Sequence, residues 1–148
     1  MSIPFTSSDI WLLLSIALAE GEPPVRLPEF LFAGDAINKA VFTPQELRRG
    51  LSKLTKAGYV INAAGIYSLS DAGRAIMDDA RQRRRDQLGM WHYIETRLSA
   101  SRGPEDSPQY EDARFPYPTV TDEAVAEADR QYRANFARLV AELEARER

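Results

Sequence analysis

Eight side chains between residues 39 and 56 combine the two chemistries that recognise nucleic acid: Lys39, Thr43, Gln45, Arg48, Arg49, Ser52, Lys53 and Lys56. Lysine neutralises phosphates, whereas glutamine, arginine and serine hydrogen-bond to base edges in a major groove. Gln45, Arg48, Arg49 and Ser52 are spaced to reach base edges from one helix, with Lys39, Lys53 and Lys56 placed as phosphate contacts. The same pattern describes a solvated helix side, since charges opposite an apolar stripe need no ligand. Both readings stand at this stage.

Other chemistries have thinner support. The chain has no cysteine, which removes disulfides, thiolate nucleophiles and cysteine-ligated metals. Its one histidine, His92, lies between Trp91 and Tyr93 with no recognisable nucleophile or acid motif around it, so a structural role is expected. No catalytic residue, cofactor or metal site is expected. Arg81, Arg83, Arg84 and Arg85 form a second basic cluster, expected to be a solvated helix end. A net charge of -3 argues against a surface built wholly for a polyanion, so nucleic-acid binding would need a local patch.

The elements that must position these residues follow from spacing and caps. Thr43, Pro44 and Glu46 mark a helix start in which hydroxyl and carboxylate satisfy free backbone donors. Leu47, Leu51 and Leu54 then form an apolar stripe, and Gly58 ends the helix at about residue 57. Residues 59–61 and 66–69 read as two short strands around a turn at 63–65. Upstream, Thr6 and Asp9 can cap a helix to about Glu20, apolar on more than one face and in part a surface for a second subunit. A second helix fits residues 27–39, where Gly34 in the stripe allows a close approach. Downstream, helices are expected from Asp71 to before Gly89 and over 90–99. Four prolines exclude a regular element over 101–119, while Tyr110, Phe115 and Tyr117 give that stretch anchors, as an arm lying on the domain. A last helix from Thr121 or Asp122 carries Val125, Ala128, Tyr132, Phe136, Leu139 and Leu143 at intervals of three or four, a stripe for packing or dimerisation. The one strongly apolar run, 10–19, is too short to span a bilayer, which needs about 20 residues. With no basic residue before that run, a soluble, cytoplasmic protein is expected.

Helix, helix, basic helix, hairpin, helix is the order of winged helix-turn-helix transcription regulators. The run LSKLTKAGYVINAAGIYSLSDAGRAI at 51–76 resembles the region shared by MarR-like and PadR-like proteins, with the strand return at Tyr67, Leu69, Ser70 and Gly73. The resemblance spans roughly 8–88 as fold and 47–73 as motif. It implies a mainly α fold with a small β-hairpin: a winged-helix domain over 1–89, a short helix and proline-rich aromatic arm over 90–120, and an amphipathic helix over 121–148. It further implies a non-enzymatic regulator that binds duplex DNA through the helix at 43–57. The expected homodimer, formed through the N- and C-terminal helices, would set two such helices about one DNA turn, roughly 34 Å, apart. The turn at 62–65 carries no arginine or lysine. That feature fits the alternative, a winged helix used as a protein-interaction module without DNA.

Overall fold

Side-chain caps set where the helices begin in the computed structural model, which describes residues 3–147. Thr43, Ser70, Asp86 and Thr121 each accept a hydrogen bond from the backbone N–H three residues on, starting α3 (Pro44–Lys56), α4 (Asp71–Arg83), α5 (Gln87–Arg97) and α6 (Asp122–Arg146). At the start of α1 (Ser7–Ala19) the Asp9 carboxylate accepts from the Thr6 N–H at 2.8 Å. The remaining helix, α2 (Leu27–Asn38), has proline in its first turn and ends at Lys39, whose φ of 54° is left-handed. The described residues are thus mainly helical, with one two-stranded antiparallel sheet.

Because α1 is apolar on every side, it becomes the centre of the molecule. Ile10, Leu12, Leu13 and Ile16 are wholly buried, and α2, α3, α5 and the sheet all pack on it. This corrects the expected subunit surface on α1, of which only Leu18, at 45 % exposure, faces outward among its large apolar side chains. The stripe of α3 points into this centre, with Leu47, Leu51 and Leu54 fully enclosed.

Strands β1 (Val60–Ala63) and β2 (Ile66–Leu69) pair in the register Val60 with Leu69 and Ala63 with Ile66. Ala64 and Gly65 turn the chain with both φ values positive, the conformation that suits the twist of a two-residue hairpin. Asn62 Oδ1 secures the turn by accepting from the Gly65 N–H at 2.9 Å. The first strand thus starts one residue later and ends two later than expected, since these hydrogen bonds place the turn at 64–65.

Beyond α5 the chain becomes the arm, irregular except for one 3-10 turn at Pro104–Asp106. It begins beside α1, where Ser101 bonds through its backbone to Phe5 and Ser7. The 25 residues of α6 extend about 37 Å. Val125, Ala128 and Tyr132 are buried in its first half, which packs on α2, whereas Phe136, Leu139 and Leu143 further along remain about half exposed. No helix among the described residues is long and apolar enough to cross a membrane.

Gly34 shows how closely the helices meet. Its carbonyl accepts from Trp11 Nε1 at 3.0 Å, and Trp11 stacks on Phe42 with ring centroids 3.7 Å apart. A methyl group at position 34 would lie 2.5 Å from the Phe42 ring. Alanine there gains about 1 kcal/mol of helix propensity but overpacks this contact, so Gly34→Ala is expected to lower stability by about 1–3 kcal/mol. Urea unfolding measures the difference, and a variant as stable as the parent would contradict the tight packing.

Candidate functional site

The helix with the nucleic-acid-like side chains is enclosed on nearly all sides. Its leucines pack on α1, and the arm, entering from Ser101 and leaving into α6, crosses the opposite side. Arg48, Arg49, Ser52 and Lys53 therefore do not form an open cationic face, which corrects the exposure expected for them. Arg49 and Lys53 are each only 1 % exposed, and Ser52 is buried as well.

Each cation has a partner from its own chain. Arg49 donates through Nη1 to the carbonyls of Ser107, at 2.7 Å, and Tyr110, at 3.1 Å, and through Nη2 to Ser8 Oγ, at 2.7 Å. Ser8 in turn donates to Asp106, whose carboxylate also accepts from the Ser8 N–H at 2.9 Å. Arg48 donates through Nε to Glu111 at 2.6 Å and through Nη1 to Asp122 at 2.8 Å and the Val120 carbonyl at 3.1 Å. Partial burial works against the charged form of Arg48, but the hydrogen bonds to Asp122 and Glu111 leave its pKa raised. These are the bonds that a phosphate or a guanine edge would otherwise accept.

Lys53 reaches inward, 3.3 Å from Asp9 Oδ2. Burial outweighs the opposing pull of the Lys53 ammonium and the Thr6 N–H, so the Asp9 carboxyl titrates above its ordinary value. Gly50 lies close beside this pair, for a Cβ there would stand 3.1 Å from Asp9 Oδ1 and from the Leu12 side chain. Lys56 is exposed, but its ammonium lies 5.2 Å from the centre of the Phe115 ring, which Lys53 also approaches at 5.9 Å.

Thr43 caps α3 as expected: its Oγ1 accepts from the Glu46 N–H at 3.2 Å, and Glu46 Oε1 accepts from the Thr43 N–H at 3.0 Å. The same hydroxyl donates to the Pro108 carbonyl at 2.8 Å. Gln45 is half-buried and Lys39 is exposed beyond the end of α2. Of the eight candidates, only Lys39 and Lys56 are open to solvent.

The arm is anchored by the residues its sequence suggested. Phe115 and Val120 are buried, Tyr110 lies beside Arg49, and Tyr117 accepts from Asn62 Nδ2 at 2.6 Å, tying the arm to the hairpin. Burial of a large apolar side chain contributes roughly 1.5–3 kcal/mol, so Phe115 and Val120 are substantial clamps. Within the arm, the guanidinium of Arg114 holds the Asp112 carboxyl below its ordinary range, with Nη2 and Oδ2 2.7 Å apart.

The other sequence candidates are separate. Arg81 and Arg83 pair with Asp78 and Asp79 on their own helix, and Arg81 to Arg85 are exposed, as a solvated helix end. His92 is 73 % exposed, with Nδ1 3.7 Å from Glu95. It borders an open cleft of about 370 Å³ together with Glu46, Glu95 and Asp106. Glu95 is bound there by Arg102 at 3.2 Å and Asp106 by Ser8, so both carboxylates are already engaged. Among the described residues, no three acidic or histidine side chains converge as metal ligands. Comparison with family models, curated proteins and solved structures yields no match to this chain.

The residues missed from sequence are the acceptors: Ser8, Asp9, Asp106, Glu111 and the arm carbonyls. A signal was present in the five carboxylates at 105, 106, 111, 112 and 122, which follow a helix of opposite charge. Local periodicity does not indicate that two segments so distant in the chain will meet.

Two stability predictions follow from this geometry. Phe115→Ala is expected to cost about 3 kcal/mol of local stability and to accelerate proteolysis within 101–121 ahead of the core. Cleavage of that segment at the parental rate would count against the clamp. Asp9→Leu alone leaves Lys53 buried without its counter-charge and should cost about 3–5 kcal/mol, whereas Asp9→Leu with Lys53→Met should recover the part due to the unpaired ammonium and keep only the loss of the Thr6 N–H acceptor. Urea denaturation of the single and double variants decides this, and equal losses in both would refute the pairing.

Proposed function

We propose that this chain is a non-enzymatic protein-interaction module built on a winged-helix arrangement. The helix that would read DNA in such a fold is here committed to the chain's own interior. The observation that supports this reading is the enclosure of α3: Arg49 and Lys53 are buried, and Arg48 is bound by Glu111 and Asp122. Major-groove entry needs the outward side of a helix open to base edges. The arm occupies that side and is tied at both ends, by the Ser101 backbone to Phe5 and Ser7 and by Tyr117 to Asn62. Clearing it would separate Phe115 and Val120 from their contacts and shift the first turns of α6. The bare hairpin turn is consistent with the same use, since it offers phosphates no cation at the wing.

The competing reading, a transcription regulator that binds duplex DNA, makes an opposite prediction for one measurement. Labelled duplex DNA titrated at two salt concentrations should give no binding with the steep salt dependence of phosphate neutralisation. Arg48→Ala should leave that background unchanged. Binding whose log affinity falls steeply with log salt, and weakens further in Arg48→Ala, would overturn the module reading in favour of DNA.

A further inference from the structure

The cleft that His92 borders lies among the start of α1, the start of α3, α5 and the arm, and its volume of about 370 Å³ falls within the small-ligand range. Three carboxylates meet there, unequally satisfied. Arg102 clasps Glu95 with two donors, Nε to Oε2 at 3.3 Å and Nη2 to Oε1 at 3.2 Å. Asp106 accepts both Ser8 hydrogen bonds on Oδ1, which lies 3.9 Å from Arg49 Nη2, and its Oδ2 accepts none among the described residues. Glu46 is only 7 % exposed, yet no lysine or arginine among the described residues pairs with it. Its Oε1 accepts from the Thr43 N–H, and its Oε2 accepts no hydrogen bond among those residues.

A carboxylate buried to this degree, with one oxygen idle, calls for a donor that the chain does not supply. Burial makes an uncompensated charge costly, and three carboxylates against the guanidiniums of Arg102 and Arg49 leave one negative charge in excess. The group that fits is a cation. Trp91 narrows its class. Its Nε1 is enclosed without a hydrogen-bond partner, so the partly buried indole meets the cleft through ring carbons, the surface that attracts a cation. Leu88, 70 % exposed at the rim, offers an apolar contact to an alkyl chain, and Asn38, also exposed there, offers an amide to a peptide backbone. Indole carbons, carboxylate and apolar rim together match arginine, whose planar guanidinium stacks on a ring while its forked donors reach an oxygen. Arg102 on Glu95 is an example of that pairing within the same cleft.

We infer that the cleft receives an arginine side chain of a partner protein, its guanidinium over Trp91 and hydrogen-bonded to Glu46 Oε2, with its stem against Leu88. Asp106 adds a second carboxylate to the same cleft. This rests on the module reading and names what the partner presents. The two fail separately, because DNA titration reads α3, whereas the indole signals of the cleft read arginine.

Both tryptophans of the chain, Trp11 and Trp91, line the cleft, so their indole N–H signals in a nitrogen-correlated NMR spectrum report occupancy. Acetyl-Gly-Arg-Gly-amide should move the Trp91 signal saturably, and the same peptide with citrulline, which keeps the shape without the charge, should bind about tenfold or more weakly. Glu46→Gln should cause a similar loss while preserving the cap of α3, because glutamine also accepts from the Thr43 N–H, and unchanged helical circular dichroism checks the fold. Glu144→Gln, far along α6, removes the same charge away from the cleft and should leave binding unchanged. Equal binding of both peptides, full affinity in Glu46→Gln, or a Trp91 signal that the arginine peptide does not move overturns the inference. Propylguanidine, which lacks the backbone, should bind more weakly than the peptide, and equal affinity would overturn the protein source in favour of a small free cation.

Discussion

A cation removed from water must be met by acceptors at fixed positions, and this requirement organises the molecule around Arg49 and Lys53. An unpaired buried ammonium or guanidinium costs several kcal/mol, so folding cannot leave either without a partner. Arg49 has three oxygen acceptors, two of them arm carbonyls, and Lys53 has Asp9. The path of the arm is therefore a condition for burying α3 at all.

The residues that meet this condition also perform a second task. Asp9 satisfies the Thr6 N–H at the start of α1 and neutralises Lys53 from α3. Thr43 caps α3 and donates to Pro108 of the arm, while Ser8 links Arg49 to Asp106. The starts of α1 and α3 are thus junctions between segments far apart in sequence. Loss of one junction residue therefore frees a backbone donor and a charge together, the circumstance in which effects of neighbouring substitutions stop being additive.

The local parts of the fold were legible in the sequence because their causes are local. Thr43 and Glu46 mark the start of α3, the leucines at 47, 51 and 54 mark its inner side, and Gly34 marks a close approach realised against Trp11 and Phe42. The outward side of α3 was not legible. Arg49 and Lys53 have the polarity of solvated residues, and polarity alone does not distinguish a charge facing water from one facing a carboxylate. Their burial depends on acceptors 41 to 61 positions away, which no window of helical length contains. The start of the chain misled in the opposite direction. The surplus apolar surface of α1 suggested a second subunit, but it is used up by the helices and sheet of its own chain. On the far half of α6 the stripe outruns its neighbour, and Phe136, Leu139 and Leu143 stay about half exposed.

Closing α3 under the arm also changes what the protein presents at a distance. The helix carries Arg48, Arg49, Lys53 and Lys56, and the arm with the first residue of α6 carries Glu105, Asp106, Glu111, Asp112 and Asp122. Brought together, these charges largely cancel, and the potential beyond a Debye length, about 8 Å at physiological salt, is small. A partner approaching this side is not steered by a cationic field, and the guanidinium of Arg48 is already held by Glu111 and Asp122. Closing this side leaves Lys56 as the cation of α3 exposed to solvent, and its ammonium lies over the Phe115 ring of the arm.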